Sequence, residues 1–382
     1  MDRKLAGHNI DNSNKTDKTA KSIVIAGYYG FENAGDELTL SALTGGIKEI
    51  NKTIKMTVLS ATPKKTELFY DVKAVNRWNP LKVLKAIAGA DLLVFGGGGL
   101  LQDITSTASI LYYYSLIVIA EIFNKKVFML AQGIGPIVKK SNKRRARRIL
   151  SWVDRITVRD EESAQILQQY KIKGLNLTTT ADLVLSLKAR KEIYKGRKKQ
   201  TFVAGLVLRE RENYKNLENK IENVCRLLRD GYDTEFVVIP FHKKNDMEVS
   251  KRMAKKLGNC EVYQWRKADE ILDIYNRLDI VIGMRLHSLI LACIFNKPFV
   301  AVQFEDDVTD FDPKIVNFIK SLGLEPGKYA LNFNENDLTD IARDIHNIHV
   351  NGKEFSSLIA PGLKKLIDLS ELNLMCLKDI LL

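Results

Sequence analysis

The sequence predicts an α/β protein with two Rossmann-like domains that face each other across a cleft. Its 382 residues are more than one ordinary hydrophobic core requires. Short β-branched runs alternate with segments of helical length, and this alternation occurs twice along the chain. A charged stretch with few core residues, 188–200, separates the two series. Each half is therefore expected to form a parallel sheet covered by helices.

The domain boundaries follow from this pattern. The segment 1–21 is polar and lacks the apolar stretch of a secretory signal, so we expect a flexible tail. The N-terminal domain then covers 22–187 and the C-terminal domain 201–360, with 188–200 as the linker. An amphipathic helix is expected at the end of the chain, 361–382.

The first domain begins with a β-branched run, 22–26, that predicts a strand. A glycine-rich turn, 27–37, leads from it into a helix, 38–50. The apolar segment 110–123 is too short to cross a bilayer and contains Glu121, so a buried helix is expected there. The other predicted strands are 53–60, 91–95, 126–131 and 155–158, and further helices are expected at 78–88 and 139–148.

The second domain repeats the alternation from 201 onward. A loop is expected at 242–245, between a strand and a helix. The predicted strands are 201–208, 235–240, 260–263, 278–282 and 299–304, and the predicted helices are 217–230, 246–257, 268–277, 288–295, 314–322 and 363–382.

Charge and cysteine content narrow the class of protein. The formal net charge of +13 predicts an anionic partner, and it leaves nucleic acid, a phosphate-bearing substrate and an acidic membrane surface open. The four cysteines are scattered and include no CxxC pair, so neither a zinc site nor a disulfide framework is indicated. A reducing cytoplasm fits this pattern.

The strand 278–282 ends at the sequence Gly283–Met284–Arg285–Leu286–His287, just before a predicted helix. Ligands of open α/β sheets bind at the carboxyl ends of strands, and helix N-termini favour anions. Arg285 adds a permanently charged guanidinium group with a planar set of N–H donors, and His287 can transfer a proton near neutral pH. An anionic substrate with acid–base chemistry is the first hypothesis. The alternative is that Arg285 pairs with a carboxylate and His287 caps the helix.

Polar residues and glycines also follow strands of the first domain. Asp36 stands at the start of the first helix, where it either caps that helix or points into the cleft to hold a sugar hydroxyl or accept a proton. Four glycines follow the strand 91–95, and we expect a ligand-facing loop there more than a close-packed helix contact. Arg159 and Arg209 each follow a predicted strand.

Five motifs then occur in order along the chain. They are Gly27–Tyr28–Tyr29–Gly30 with Asn33–Ala34–Gly35–Asp36–Glu37, Phe95–Gly96–Gly97–Gly98–Gly99–Leu100–Leu101–Gln102–Asp103, Gln132–Gly133–Ile134–Gly135–Pro136, Val158–Arg159–Asp160–Glu161–Glu162–Ser163, and the glycine-to-histidine stretch at 283–287. In this order and spacing the chain resembles the polysaccharide pyruvyltransferases, most closely the CsaB type, over roughly residues 22–320.

The resemblance implies a two-domain fold similar to glycosyltransferase B and a specific reaction. The family transfers the enolpyruvyl unit of phosphoenolpyruvate onto two hydroxyls of a sugar, forming a cyclic ketal and releasing phosphate. For the CsaB type the acceptor is N-acetylmannosamine in a lipid-diphosphate-linked precursor of a secondary cell-wall polymer, and the ketal anchors surface-layer proteins. Phosphoenolpyruvate is a co-substrate, and no metal or organic cofactor is expected. The acceptor is expected on the N-terminal domain and the donor on the C-terminal domain.

The family's donor-binding positions correspond to Arg159, Arg285, Leu286 and His287. One departure stands out, because Asp307 occupies the position of a lysine that helps to hold the donor in the family. The substitution reverses a charge near a trianionic donor. Compensation by Lys297 or Lys314 is possible, and the sequence does not choose between them.

The chemistry needs an acid, a base and clamps for two anionic groups. We expect Arg285 and Arg159 to clamp the donor, with Arg209 as a further candidate, since a guanidinium binds a carboxylate or a phosphate bidentately. His287 is the predicted proton donor to carbon 3 or to the leaving phosphate. Asp36 or Asp103 would orient or deprotonate the sugar hydroxyls. The predicted acceptor-binding residues are Asn33, Asp36, Gly97, Gly98, Asp103 and Gln132.

The basic run Lys139–Arg148 is either an ordinary solvated helix face or a contact with an acidic membrane. The lipid-linked acceptor favours peripheral attachment to the inner face of the cytoplasmic membrane. A nucleotide-sugar glycosyltransferase is the alternative enzyme, because fold alone does not decide function. A non-catalytic binding module for nucleic acid or an anionic polymer is disfavoured, since the basic run contains no aromatic residue.

Overall fold

The structure is a computed structural model that describes residues 21–101, 107–135, 137, 139–187, 202–210, 215–303, 313–333 and 336–382. The predicted linker 188–200 and nearly all of the predicted tail lie outside these residues. Asp103 and Asp307 also lie outside them, so their predicted roles stay predictions.

Seven parallel strands form the first sheet, in the order β3-β2-β1-β4-β5-β6-β7. Strand β1 is an interior strand of this sheet and pairs in parallel with β2 on one side and β4 on the other. The chain thus changes direction across the sheet at β1 and β4, which is the place where open α/β sheets bind ligands. The strands are β1 (Ser22–Ala26), β2 (Lys55–Ser60), β3 (Lys73–Asn76), β4 (Leu92–Leu101), β5 (Lys126–Ile134), β6 (Arg155–Val158) and β7 (Leu177–Thr179).

Helices connect these strands and cover the sheet. Helix α4 packs beside both α3 and α5, whereas α1 packs beside the C-terminal helix of the chain. A short 3-10 helix, Leu183–Ser186, follows β7. The helices are α1 (Ala34–Ile50), α2 (Pro63–Tyr70), α3 (Pro80–Ala88), α4 (Thr107–Ile122), α5 (Lys140–Leu150) and α6 (Glu161–Gln168).

Six parallel strands form the second sheet, in the order β10-β9-β8-β11-β12-β13. Strand β11 pairs with β8 and β12, so Arg285, just beyond it, lies near the middle of the sheet edge. The strands are β8 (Phe202–Val207), β9 (Thr234–Val238), β10 (Glu261–Val262), β11 (Ile280–Gly283), β12 (Phe299–Gln303) and β13 (Ala330–Asn332). The helices are α7 (Lys215–Tyr232), α8 (Lys243–Leu257), α9 (Asp269–Arg277), α10 (Leu286–Ile294), α11 (Pro313–Ser321), α12 (Pro326–Tyr329), α13 (Leu338–Val350) and α14 (Gly352–Leu381).

The prediction of two helix-covered parallel sheets is confirmed, whereas three local predictions were wrong and the capping alternative for Asp36 is excluded. The four glycines lie within β4, where the register with β5 shifts between Gly98 and Leu101, and do not form a separate loop. The expected loop 242–245 is the first turn of α8. Asn33, not Asp36, occupies the N-cap position of α1. The last helix begins at Gly352 and contains Pro361.

Backbone hydrogen bonds beside the cleft join the two domains, between the start of α1 and the start of α8. The amide of Ala34 donates to the carbonyl of Phe241 at 2.6 Å, and the amide of Lys243 donates to the carbonyl of Glu32 at 3.1 Å. The side chains of Ala34 and Leu38 also pack into the apolar cluster of the second sheet. The first turn of α1 is thereby fixed against the second domain.

Helix α14 connects the two domains a second time. It packs on α11 and α13 of the second domain and on α1 and β5 of the first. Its Ser370 Oγ donates to the carbonyl of Asp182 at 2.8 Å, and its Asn373 Nδ2 donates to the carbonyl of Ala181 at 2.9 Å. The turn that precedes the 3-10 helix is therefore fixed by a buried polar network. Among the described residues, no helix has both the length and the apolar composition needed to cross a bilayer.

Candidate active site

The carboxyl ends of the two parallel sheets face each other, and this brings together residues that are far apart in the sequence. The first domain contributes Asp36 from α1, Arg159 after β6 and Asp182 after β7. The second contributes Arg285 and His287 from the start of α10. Charge interactions link Asp36 with the other four groups, so these residues form one electrostatic centre.

Asp36 lies in the first turn of α1 and is partly buried in the cleft. Its Oδ2 accepts a hydrogen bond from Asn33 Nδ2 at 2.5 Å. Removal of the carboxylate from water raises the pKa of Asp36 to about 6, although the charges of His287 and Arg159 act in the opposite direction. A carboxyl group with such a pKa can change its protonation state close to neutral pH, as a general base requires.

Glycines allow the two domains to approach at this centre. A Cβ atom added to Gly35 would lie 2.1 Å from Nδ1 of His287, so the imidazole rests directly on the backbone next to Asp36. A Cβ atom added to Gly98 would lie 3.3 Å from Oδ1 of Asp36, and Gly98 has a positive φ of 88°. Both glycines keep the space around Asp36 open.

Asp182 connects Arg159 with His287. Its Oδ2 accepts a hydrogen bond from Arg159 Nη1 at 2.9 Å and lies 3.5 Å from His287 Nε2. Its Oδ1 accepts from the amide of Val184 at 3.1 Å. Burial alone would raise the pKa of Asp182, but His287 and Arg159 together hold that pKa well below its usual range. Asp182 therefore stays ionised and can stabilise a positive charge on His287.

Arg285 is held by a second buried carboxylate, Asp246 on α8. Arg285 Nε donates to Asp246 Oδ2 at 2.7 Å and Nη2 donates to Oδ1 at 2.6 Å, a bidentate pair. Asp246 is fully buried and also accepts from the amide of His242 at 2.9 Å. Among the described residues, Arg285 Nη1 has no hydrogen-bond partner, so its two N–H groups can bind a ligand.

His242 is a weaker candidate for proton transfer. His242 is the N-cap residue of α8, its Nδ1 accepts from the amide of Asn245 at 3.4 Å, and the residue is 6% exposed. Burial and the nearby charge of Arg285 lower the pKa of His242, so its imidazole stays neutral. A neutral imidazole that caps a helix fits a structural role.

A cavity of about 550 Å³ opens beside the centre, between the two domains. It is lined by Arg159 and Asp182 from the first domain and by Leu286 from the second. Lys314, on α11, lines the same cavity, whereas Lys297 precedes β12 at the opposite end of that strand. Of the two lysines proposed to compensate for Asp307, only Lys314 is therefore placed to do so.

The remaining predicted residues have different positions. Gln132 is fully buried in β5, and its Nε2 donates to the carbonyl of Leu130 at 2.9 Å, so its side chain offers no surface to an acceptor. A Cβ atom at Gly97 would meet Thr39 at 2.4 Å, which makes Gly97 a packing position under α1. Arg209 follows β8 at the same sheet edge as Arg285 and is partly buried.

Sequence reasoning missed the roles of Asp182 and Asp246. Both lie beyond a strand of a predicted parallel sheet, which is a usable signal, but their partners are 39 residues away for Asp246 and 23 residues away for Asp182. The interpretation in which Arg285 pairs with a carboxylate is borne out by the Asp246 contact. The pair does not remove Arg285 from the cleft, because one guanidinium nitrogen has no partner within the part of the chain that the structure describes.

Solved structures with a similar fold include a UDP co-structure, a UDP-GlcNAc 2-epimerase and a glycosyltransferase. The S. aureus MnaA–UDP co-structure matches with a TM-score of 0.63 and 13% identity, covering 89% of this chain and 92% of that one. A UDP-GlcNAc 2-epimerase from Neisseria meningitidis bound to UDP-GlcNAc matches with a TM-score of 0.60 and 12% identity, covering 93% and 99%. A glycosyltransferase from Rickettsia africae matches with a TM-score of 0.54 and 13% identity, covering 94% and 96%.

These identities support the fold alone, and the fold is similar to glycosyltransferase B. No curated protein matches the sequence significantly. The family model for polysaccharide pyruvyl transferase matches residues 33–304, which include Asp36, Arg159, Asp182, Arg285 and His287. The chain therefore belongs to the polysaccharide pyruvyl transferase family.

Proposed function

We propose that this transferase moves pyruvate from phosphoenolpyruvate onto two hydroxyls of one sugar, giving a cyclic ketal and free phosphate. The observation that carries the proposal is the meeting of His287 and the carboxyl group of Asp36 at the centre that also holds Arg159 and Arg285. This centre combines a proton donor, a proton acceptor and fixed positive charge for an anionic donor.

The donor fits the side of the cleft that holds the two arginines. Arg285 Nη1 would bind one anionic group of phosphoenolpyruvate, while Asp246 keeps the guanidinium in place. Arg159 lines the cavity beside Leu286 and would face the second anionic group, with Lys314 as a further positive charge in that cavity. Fixed positive charges of this kind also stabilise the phosphate as it leaves.

The proton transfers follow from the positions of His287 and Asp36. His287 gives a proton to carbon 3 of the enol, which becomes the ketal methyl group, and carbon 2 becomes cation-like. Asp36 accepts the proton of the first sugar hydroxyl as its oxygen bonds to carbon 2. The bond between carbon 2 and the phosphate oxygen then breaks and phosphate leaves. The second hydroxyl attacks carbon 2 and closes the ring, and His287, neutral after the first step, accepts its proton. Asp182 holds His287 in place and stabilises its charged form.

We further propose N-acetylmannosamine in a lipid-diphosphate-linked cell-wall polymer precursor as the acceptor, as in the CsaB type. The high positive charge of the chain suits such a diphosphate. Helix α5 presents basic side chains to solvent, with Lys143, Arg144, Arg147 and Arg148 all exposed, and its buried face is formed by Ala146, Ile149 and Leu150. This basic face would attach the protein to an acidic membrane surface.

The proposal is tested by phosphate release from phosphoenolpyruvate, with and without a lipid-diphosphate disaccharide that ends in N-acetylmannosamine. We expect release that depends on the acceptor, and a pyruvate ketal on the sugar by mass spectrometry. An Arg285→Ala variant that binds phosphoenolpyruvate as tightly as the natural protein would remove the clamp role of Arg285. Donor binding without release would exclude this acceptor.

The second candidate is a nucleotide-sugar glycosyltransferase, favoured by the fold it shares with proteins solved with UDP and UDP-GlcNAc. It predicts that a uridine diphosphate raises the melting temperature of the protein and that phosphoenolpyruvate does not. The pyruvyl transfer proposal predicts the reverse. A thermal shift assay with both ligands therefore separates the two candidates before any acceptor is available.

A further inference from the structure

The first domain carries an exposed aromatic cluster whose four rings are Tyr28, Phe31, Trp78 and Tyr112. Tyr28 and Phe31 stack with ring centroids 4.0 Å apart and planes at 9°. Phe31 and Trp78 meet edge to face at 6.4 Å, and Trp78 lies 6.0 Å from Tyr112. Trp78 is 63% exposed and Tyr28 is 38% exposed, although large aromatic side chains ordinarily bury most of their surface.

A buried arginine fixes this cluster from below. The guanidinium carbon of Arg77 lies 5.0 Å from the ring centroid of Phe31, 5.2 Å from Trp78 and 4.4 Å from Tyr112. Arg77 is 6% exposed, and its Nη1 donates to the carbonyl of Gly27 at 2.8 Å. These cation–π contacts hold the rings in fixed positions before any ligand arrives. The exposed faces therefore form a preorganised surface.

Strand order places the cluster beside the reacting centre. Tyr28 follows β1 and Trp78 follows β3, and both strands end at the edge that carries Asp36. Tyr28 and Phe31 belong to the turn that leads from β1 into α1, the helix whose first turn contains Asp36. Arg159 follows β6, on the other side of β1. Asp36 thus lies between the arginine-lined cavity and the aromatic cluster.

We propose that Tyr28, Phe31 and Trp78 form a saccharide-binding platform, on which a sugar ring of the acceptor stacks next to the sugar that is modified at Asp36. This inference rests on the proposed function. The apolar C–H face of a pyranose packs on an aromatic ring, and its hydroxyls stay in water at the rim. A rigid and partly exposed aromatic surface beside a hydroxyl-activating carboxylate matches that chemistry.

The kinetic test uses a water-soluble disaccharide diphosphate acceptor without membranes. We expect Trp78→Ala to raise the KM for the acceptor about tenfold, a loss of about 1.4 kcal/mol, with little change in kcat or in the KM for phosphoenolpyruvate. Trp78→Tyr should restore most of the acceptor affinity. Leu68→Ala removes another exposed apolar side chain, 79% exposed on α2, and should change none of these values.

A binding measurement tests the platform without catalysis. The disaccharide should change the tryptophan fluorescence of the natural protein, and this change should be absent from Trp78→Phe, which retains Trp152 and Trp265. A fluorescence change without pyruvyl transfer would exclude the disaccharide as the acceptor of the proposed reaction and keep the platform. No fluorescence change with the natural protein, or an unchanged acceptor KM in a folded Trp78→Ala variant, would overturn the platform. Loss of binding to vesicles alone would assign Trp78 to a membrane contact instead.

Discussion

Asp36 and Asp182 are two carboxylic acids withdrawn from water beside the same histidine, yet their pKa values move in opposite directions. Burial dominates at Asp36 and raises its pKa to about 6. At Asp182 the effect of burial is overcome, because Arg159 donates to it at 2.9 Å and His287 lies 3.5 Å away. Partners, more than burial, therefore decide which carboxylate can accept a proton and which one stays charged.

The largest expected effect concerns the histidine that the two carboxylates share. If His287 is the general acid, His287→Ala should lower kcat for phosphate release by about 10²–10⁴-fold, the usual contribution of general acid catalysis. His346→Ala changes a histidine that stacks on Tyr232, away from the cleft, and serves as the control. Release from His287→Ala at the natural rate would remove the acid role and leave His287 as a binding group.

The two carboxylates should differ most clearly in stability. Asp182→Asn removes the buried and closer of the two carboxylates beside the Arg159 guanidinium, the other being Asp160 at 3.6 Å, and breaking a buried pair costs about 3–5 kcal/mol. The free energy of unfolding is measured by urea denaturation. Asp340→Asn makes the same chemical change in an exposed pair with Arg343 and should have little effect. Equal effects of the two substitutions would contradict the assigned role of Asp182.

Asp36→Asn should have the opposite effect on stability. A raised pKa means that the folded protein holds this proton more tightly than the unfolded chain, so ionisation of Asp36 lowers stability as pH rises from about 4 to about 6. Near neutral pH the variant should be as stable as the natural protein or more stable, by up to about 3 kcal/mol. It should nevertheless be inactive. If Asp36→Asn lowered the free energy of unfolding as much as Asp182→Asn does, the contrast between the two carboxylates would be wrong.

The smallest effect is expected at charges on the exposed face of α5. Arg144→Glu combined with Arg147→Glu, both on the exposed face of α5, should weaken co-sedimentation with acidic vesicles at low salt, because each basic side chain contributes about 1 kcal/mol near such a surface. The KM for a soluble acceptor should not change. Lys251→Glu, on α8, is the control. Vesicle binding equal to that of the natural protein would leave α5 as an ordinary solvated face.

The sequence was sufficient for the repeated sheets because buried strands are apolar and β-branched. The runs that end at Ala26, Val158 and Gly283 show this composition. Because the strands could be located, the polar residues just beyond their ends could be assigned to the sheet edges. The edge strand β3, Lys73–Asn76, was not predicted, since it is short and has only two apolar residues. The glycine run was assigned to a loop because glycine is rare inside strands, whereas here close packing against α1 requires it.

The site could be predicted only in part, for a physical reason. Strand ends located Arg159, Arg285 and His287, since parallel strands end at one edge. The identities of the ionic partners depend on which loops the fold brings together, and hydrophobic periodicity does not encode this. Asp246 contacts Arg285, and Asp182 lies beside His287, only because the fold places the first turn of α8 and the turn before the 3-10 helix next to the start of α10.

The most direct measurement is the pH dependence of acceptor-dependent phosphate release, taken as kcat/KM for phosphoenolpyruvate and the sugar acceptor. If Asp36 is the base, it must be ionised, so the rate should fall as pH decreases through about 6. Asp182 stays ionised across this range and adds no second step. A rate that is constant down to pH values of about 5, or folded protein that releases no phosphate with any sugar acceptor, would contradict this account.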